Sequence, residues 1–233
     1  LLIGTVTTFT LLPNAVRDPG FDPLADFAHI TMIGATLYML VAHPRWRSLD
    51  HLVAEARRRP NALSFASWGV ASTGHLLTLD FMRRAGVEVL HVPYNGSAPA
   101  LTDLMAGRVD AMFSTYAPAL PLVEGGQLRP LGVPLAARRP DLPSVPTMIE
   151  QGYPDFVAEG WFSLAAPART PAPVLAKLER AAADTYADPR SWPALERVGI
   201  ATTPVGAAVL NERVRRELDT NRALMRAAGL QPE

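Results

Sequence analysis

Leu63-Ser64-Phe65-Ala66-Ser67-Trp68-Gly69-Val70-Ala71-Ser72-Thr73-Gly74-His75 is the stretch on which the fold turns. Leu63–Ala66 reads as a short strand, Ser67–Thr73 as a turn rich in hydroxyls with one glycine, and His75–Ala85 as a helix that starts at once. The same order follows directly: a strand over Val87–Val92, a loop over Pro93–Ser97, a helix over Ala98–Ala106 and another strand over Val109–Phe113. Strand–turn–helix units in succession predict parallel strands joined by crossover helices, hence an α/β fold.

Working outward, Leu1–Thr5 reads as a strand, Thr5-Val6-Thr7-Thr8 as a polar turn, and Asn14–Asp26, with two prolines and a glycine, as surface loop. Phe27–Ile33 and Leu37–Ala42 are two β-compatible runs, the second broken by His43-Pro44. Ser48 is placed to cap a helix through Arg59, with Leu49, Leu52, Val53 and Ala56 on one face. Arg57-Arg58-Arg59 then puts cations at the helix C-terminus, where the macrodipole favours them. Leu128–Val133 and Trp161–Ala166 read as strands on either side of a proline-rich stretch, Pro134–Pro154. Thr170-Pro171 looks like an N-cap and first helical residue for a helix to about Tyr186, and a last helix covers Ala207–Ala228, stopped by Gly229.

Composition excludes several classes. With 233 residues, 48% of them hydrophobic, the chain is long enough for one large domain or two lobes. Its 22 basic and 22 acidic residues cancel, so bulk charge does not point to nucleic acid. There are no cysteines, which removes disulfides, thiolate metal sites and thiol nucleophiles. No apolar run reaches the roughly 20 residues of a membrane span, and no signal peptide is visible. The five histidines show no metal spacing, and no nucleophile elbow or phosphate-binding glycine pattern is present. Asp103 and Asp110 lie near a strand–turn–helix, but nothing pairs them as acid and base.

What remains is anion binding by backbone. The first amides of a helix lack intrahelical partners and carry partial positive charge, so a turn such as Ser67–Thr73 can hold a carboxylate without a basic side chain. Ser67, Ser72 and Thr73 offer hydroxyls, Gly69 allows close approach, and Trp68 is placed either to pack or to wall a pocket. Ser72 and Thr73 serve equally well as an ordinary helix cap. Tyr94-Asn95-Gly96-Ser97 repeats the layout, and Ser114-Thr115-Tyr116 follows another strand. Ligands of open α/β sheets bind beyond the carboxyl ends of the strands.

These same residues resemble those of a known family. Phe65-Ala66-Ser67-Trp68-Gly69 with Ser72 and His75, the run His91–Leu104 beginning His-Val-Pro-Tyr, and Gly107–Phe113 are similar to segments of tripartite tricarboxylate transporter receptors, the Bug family. So are Gly126–Leu131, Leu142–Thr147, Trp161–Pro167 and Thr170–Pro173, in the family's order along essentially the whole chain. The resemblance implies a two-lobed, type II periplasmic-binding-protein-like α/β fold, with lobe one at 1–45 and 168–233 and lobe two at 46–167. It implies an extracytoplasmic, periplasmic receptor, not an enzyme, that closes its lobes on a small carboxylate and passes it to the membrane subunits of a transporter. It implies no cofactor, metal or nucleic acid. Thr5 and Thr8 match a ligand turn of the first lobe, and Ser67, Trp68, Gly69, Ser72, Thr73, Tyr94, Ser114 and Thr115 are the expected ligand contacts of the second. The family's Asn-Gly pair is Val70-Ala71 here, its lysine is Asn95 and its aspartate is Ser114, so charge is removed from this region. The family also has an earlier strand–turn–helix–strand unit before the segment matched by Leu1, so the chain is expected to be N-terminally truncated. The rivals are an enzyme on a related α/β scaffold and a degenerate fragment that binds nothing.

Overall fold

In Leu37-Tyr38-Met39-Leu40-Val41-Ala42 every residue is apolar, the pattern of a strand buried on both faces. The computed structural model, which describes residues 1–197, 200–201, 205–227 and 229–230, shows that arrangement. Elements run in the order β1 (Leu2–Thr5), a π-helical turn (Thr7–Leu11) leading into α1 (Leu12–Ala15), β2 (Phe27–Ala42), α2 (Leu49–Arg58), β3 (Ser64–Ser67), α3 (Thr73–Ala85), β4 (Leu90–Pro93), α4 (Ser97–Met105), β5 (Ala111–Thr115), α5 (Tyr116–Glu124), β6 (Arg129–Gly132) and β7 (Glu159–Pro167). There follow α6 (Ala172–Ala187), α7 (Trp192–Arg197), β8 (Ile200–Ala201), β9 (Val205–Gly206) and α8 (Ala207–Ala227). The chain divides into two compact units, one formed by Leu1–Thr36 with Gly160–Glu233 and the other by Leu37–Glu159.

The Leu37–Glu159 unit is a sheet in the order β6-β2-β5-β3-β4, in which β3 pairs in parallel with both β4 and β5 while β2 runs antiparallel to β5 and β6. Side chains alternate across it. Tyr38, Leu40, Ala42, Phe65, Ala111 and Phe113 pack with α2 and α3 residues such as Leu52, Val53, Leu77 and Phe81. Leu37, Met39, Val41, Ala66 and Met112 pack with Ala100, Leu101 and Leu104 of α4 and Tyr116 and Ala119 of α5. The sheet is therefore sandwiched between two helical layers, and the crossovers expected from the strand–turn–helix units are those after β3 and β4. Ser48 caps α2, accepting from the His51 amide at 3.1 Å. The three arginines close that helix as cations: Arg57 donates to the Ala85 carbonyl at 2.8 Å, and Arg58 and Arg59 pair with Glu55.

In the other unit β7 lies between β1 and β2, and β8 and β9 pair antiparallel with β2 through Ala35↔Ala201 and Thr31↔Gly206. Val6, Phe9, Met32, Trp161, Ala165, Leu210 and Val214 form its core. Gly4 makes room for Phe9, since a Cβ there would stand 2.0 Å from the ring. Trp161 is fully buried, and its indole N–H donates to Glu217 at 2.8 Å, so it is a packing residue.

Several elements depart from the sequence reading. Phe27–Ile33 and Leu37–Ala42 form one strand, because Gly34 continues it and lies where Ile200 and Ala201 approach; a Cβ there would meet Ile200 at 2.5 Å. Asn14 is not surface loop: it lies within α1, is buried, and donates to the Thr10 and Leu218 carbonyls at 2.9 Å each. The polar turn Thr5–Thr8 is the end of β1 followed by helix. Thr170 does not cap α6; its hydroxyl donates back to the Pro167 carbonyl at 2.7 Å, and Pro171 occupies the cap position with no side-chain bond. The helix α5 was not expected. The predicted end of the last helix at Ala228 lies outside the described residues; the helix is described to Ala227.

Candidate functional site

The carboxyl ends of three parallel strands, β4, β3 and β5, lie side by side. The turn after β3 is linked to the end of β4 by the Tyr94 amide, which donates to the Ser67 carbonyl at 2.9 Å. It is linked to β5 by Gly74, whose Cα faces the Trp68 ring and the Phe113 carbonyl: a Cβ there would come within 2.6 Å of the ring and 3.0 Å of the oxygen. Trp68 in turn stacks on Tyr38, ring centroids 6.0 Å apart. Ser67, Trp68, Gly69, Ser72, Thr73, Tyr94, Ser114 and Thr115 are thus gathered at one end of one sheet.

Their hydroxyls do different jobs. Ser67 is fully buried; its Oγ lies 2.9 Å from the Gly69 carbonyl and 2.7 Å from His91 Nε2, and accepts from the Gly69 amide at 3.2 Å. Ser72 is the N-cap of α3: its Oγ accepts from the His75 amide at 3.3 Å and donates to the Gly69 carbonyl at 2.7 Å. Both serines therefore fold the turn around Gly69, which sits at φ 137°, a conformation that favours glycine. Ser114 is likewise buried and donates to the Thr115 carbonyl at 3.0 Å. The Tyr94 hydroxyl donates to Asp103 at 2.9 Å, and Asp103 also pairs with Arg108 at 2.6 Å. Burial and the Asp103 carboxylate together raise the Tyr94 phenol above its ordinary range.

Other polar groups remain open. Among the described residues, the amides of Val70, Thr73 and Gly74 and the hydroxyls of Thr73 and Thr115 find no hydrogen-bond partner in the chain. Thr73 and Gly74 are the first two residues of the 13-residue α3, so their free amides carry the positive end of its dipole. Val70, at the tip of the turn, is 62% exposed. The arrangement can accept an anion through backbone N–H groups and a hydroxyl, with Gly69 leaving room beside the backbone where a Cβ would meet nothing closer than 3.9 Å.

Two residues beneath the turn complete it. His75, in the first turn of α3, accepts the Ala71 amide on Nδ1 at 3.2 Å, and its ring lies parallel to that of His91, centroids 3.7 Å apart and planes at 4°. Burial, with the His91 charge second, lowers His75 to about 4, and burial lowers His91 as well. Both rings are therefore neutral near pH 7. In the sequence His75 stood out only as the start of a helix and as part of the family segment. The pairing with His91, and the spacer role of Gly74, were not visible in it; the strand-end position of His91 was the one available signal.

In the other unit, the Thr5 and Thr8 hydroxyls lie 3.3 Å apart, and the Thr8 amide also reaches Thr5 Oγ1 at 3.3 Å. Among the described residues, no three His, Asp or Glu side chains are grouped to hold a metal, and no helix is long and apolar enough to cross a membrane.

Residues 1–230 match the family model described as tripartite tricarboxylate transporter family receptor. BugT of Bordetella pertussis is 38% identical over 162 residues, an alignment covering 69% of this chain and 50% of that protein. The chain thus matches half the length of this relative. The solved structure of Rpa4515 from R. palustris with adipate superposes with a TM-score of 0.91 at 31% identity, covering 99% of this chain and 78% of that one. The periplasmic binding protein BugD superposes with a TM-score of 0.88 at 26% identity, covering 100% and 79%. The α/β fold is that of these periplasmic binding proteins, and the chain belongs to the tripartite tricarboxylate transporter receptor family.

Proposed function

We propose that this chain is a periplasmic solute receptor that captures a small organic carboxylate and delivers it to the membrane subunits of a tripartite tricarboxylate transporter, without chemical conversion. One observation carries the reading: the amides of Val70, Thr73 and Gly74 and the Thr73 hydroxyl, all without partners in the chain, lie on one turn where three parallel strands end. This is a backbone-built anion site, and family membership supplies the class of anion. Thr73 and the three amides are the direct contacts in this reading. Trp68 forms a wall, Thr115 offers a further hydroxyl from the end of β5, and Ser67, Gly69, Ser72 and Ser114 set the shape. Tyr94, its hydroxyl held by Asp103, contributes through its ring and backbone. The two compact units are the receptor's lobes, and Thr5 and Thr8 give the first lobe a pair of hydroxyls 3.3 Å apart.

The enzyme alternative has one observation in its favour. Ser67 Oγ and His91 Nε2 stand 2.7 Å apart, the length of a nucleophile–base bond. Yet Ser67 is fully buried and its oxygen is enclosed by the Gly69 amide and carbonyl, which leaves no approach for a substrate carbon. Calorimetric titration with a panel of linear dicarboxylates, aromatic acids and amino acids tests the proposal, adipate first because the R. palustris relative was solved with it. Saturable binding with the acid recovered unchanged supports the receptor. Turnover of an acid, or no binding across the panel, contradicts it.

A further inference from the structure

We infer that His75 and His91 are positioning residues that hold the carboxylate turn open for its ligand, an inference that rests on the receptor reading above. Neither side chain is among the open donors; each acts through a bond to the turn. His75 Nδ1 takes the Ala71 amide at 3.2 Å, and His91 Nε2 meets Ser67 Oγ at 2.7 Å. Ser67 relays that contact to Gly69, whose amide it accepts at 3.2 Å and whose carbonyl lies 2.9 Å from its oxygen.

The turn needs such holding. Ala71 sits at φ 56°, a left-handed conformation that residues with a Cβ keep only when their surroundings impose it. The His75 bond draws the Ala71 amide inward. The neighbouring Val70 amide, and those of Thr73 and Gly74 after Ser72, are left without partners in the chain. The parallel stack, 3.7 Å between ring centres, fixes both imidazoles against each other. An acceptor at Nδ1 also requires that the proton of neutral His75 be on Nε2. A stack of two buried neutral rings preserves that state, since a charge on either would be desolvated and would face the other.

The test uses the size of amide side chains. Asparagine places its carbonyl oxygen near the position of Nδ1, whereas glutamine carries it one bond further out, so His75→Asn keeps the acceptor for Ala71 and His75→Gln, equally polar, does not. Two readouts are taken on the whole chain: exchange of the Ala71 amide by NMR, and adipate affinity by calorimetry. His75→Gln is expected to speed Ala71 exchange and weaken adipate binding, each by about tenfold or more, while His75→Asn stays within about threefold of the parent in both. Wild-type Ala71 protection or wild-type affinity in His75→Gln, or equal losses in the two variants, overturns the inference. If the parent protein binds no acid at all, the receptor reading fails by itself; the exchange readout still decides whether His75 holds the turn.

Discussion

The indole N–H of Trp46 donates to Asp110 Oδ1 at 3.0 Å, joining the segment between β2 and α2 to the start of β5. The same carboxylate accepts the Ser64 amide on Oδ2 at 2.7 Å and pairs with Arg45, so one buried group ties three segments of the Leu37–Glu159 unit. Replacing Asp110 by alanine strands these donors, and stability should fall by about 2–4 kcal/mol. A urea melt with an unchanged midpoint would show that the carboxylate does not hold this end of the sheet together. Asp110 thus has a structural explanation and is needed in no acid–base role.

Gly74 gives a second prediction. An added methyl would stand 2.6 Å from Trp68 and 3.0 Å from the Phe113 carbonyl, and the backbone side of that clash cannot move cheaply. Overpacking of about 1–3 kcal/mol outweighs the gain of up to about 1 kcal/mol that alanine brings to a helix. Gly74→Ala should therefore melt lower than the parent and shift the Trp68 fluorescence. A variant that melts higher would mean the first turn of α3 stands clear of the tryptophan.

The histidine stack predicts a pH dependence with a definite sign. The pKa of His75 falls from its ordinary 6.5 to about 4 on folding, with burial the main cause and the His91 charge across the stack the second. The unfolded chain thus binds a proton that the native one refuses, so the stability this group contributes is full above 6.5 and is lost as the pH falls from 6.5 toward 4. Within that window the slope is up to about 1.4 kcal/mol per pH unit. His75→Asn should flatten the stability profile there and leave it unchanged above pH 7; a parallel profile would show that His75 titrates normally.

Ala71 predicts the opposite of a loss. A Cβ in the left-handed region costs about 1–2 kcal/mol, while glycine costs about 0.5–1 kcal/mol in chain entropy. Ala71→Gly should therefore leave stability level or slightly higher, with faster exchange of the amide at position 71, the one bonded to His75 Nδ1, as the tip loosens. A clear fall in melting temperature would contradict the left-handed geometry.

Much of this was readable from local chemistry. The strand, turn and helix around Ser67–Thr73 were visible because a short apolar run, a glycine and a cap signal agree with one another there. Buried strands at Leu37–Ala42 and Trp161–Ala166 were legible from apolar continuity. What failed depended on contacts distant in sequence. Phe27–Ile33 and Leu37–Ala42 read as two runs because the reason for Gly34 between them, the approach of Ile200, lies far along the chain. The prolines of α5 obscured a helix in which Pro118 occupies the first turn and Pro121 is carried inside. At the site, residue types pointed to the turn, but the direction of each hydroxyl is a tertiary property. Ser67 and Ser72 look like ligand donors in the sequence and bond to Gly69 in the structure, while Thr73 stays open. The stacking of His75 on His91 had no local signature at all.

The central claim, that free helix amides hold the carboxylate, is tested most directly by removing one of them. Thr73 is the first residue of α3, a position that suits proline, and Ser72 before it has φ −69° and ψ 160°, the extended conformation that a following proline requires. Thr73→Pro should therefore keep the fold while deleting one amide and one hydroxyl, with Thr73→Val removing the hydroxyl alone. In adipate titrations followed by calorimetry, the account predicts that Thr73→Pro melts close to the parent and binds at least about tenfold more weakly than Thr73→Val. Equal affinity in the proline and valine variants, both well folded, would contradict it.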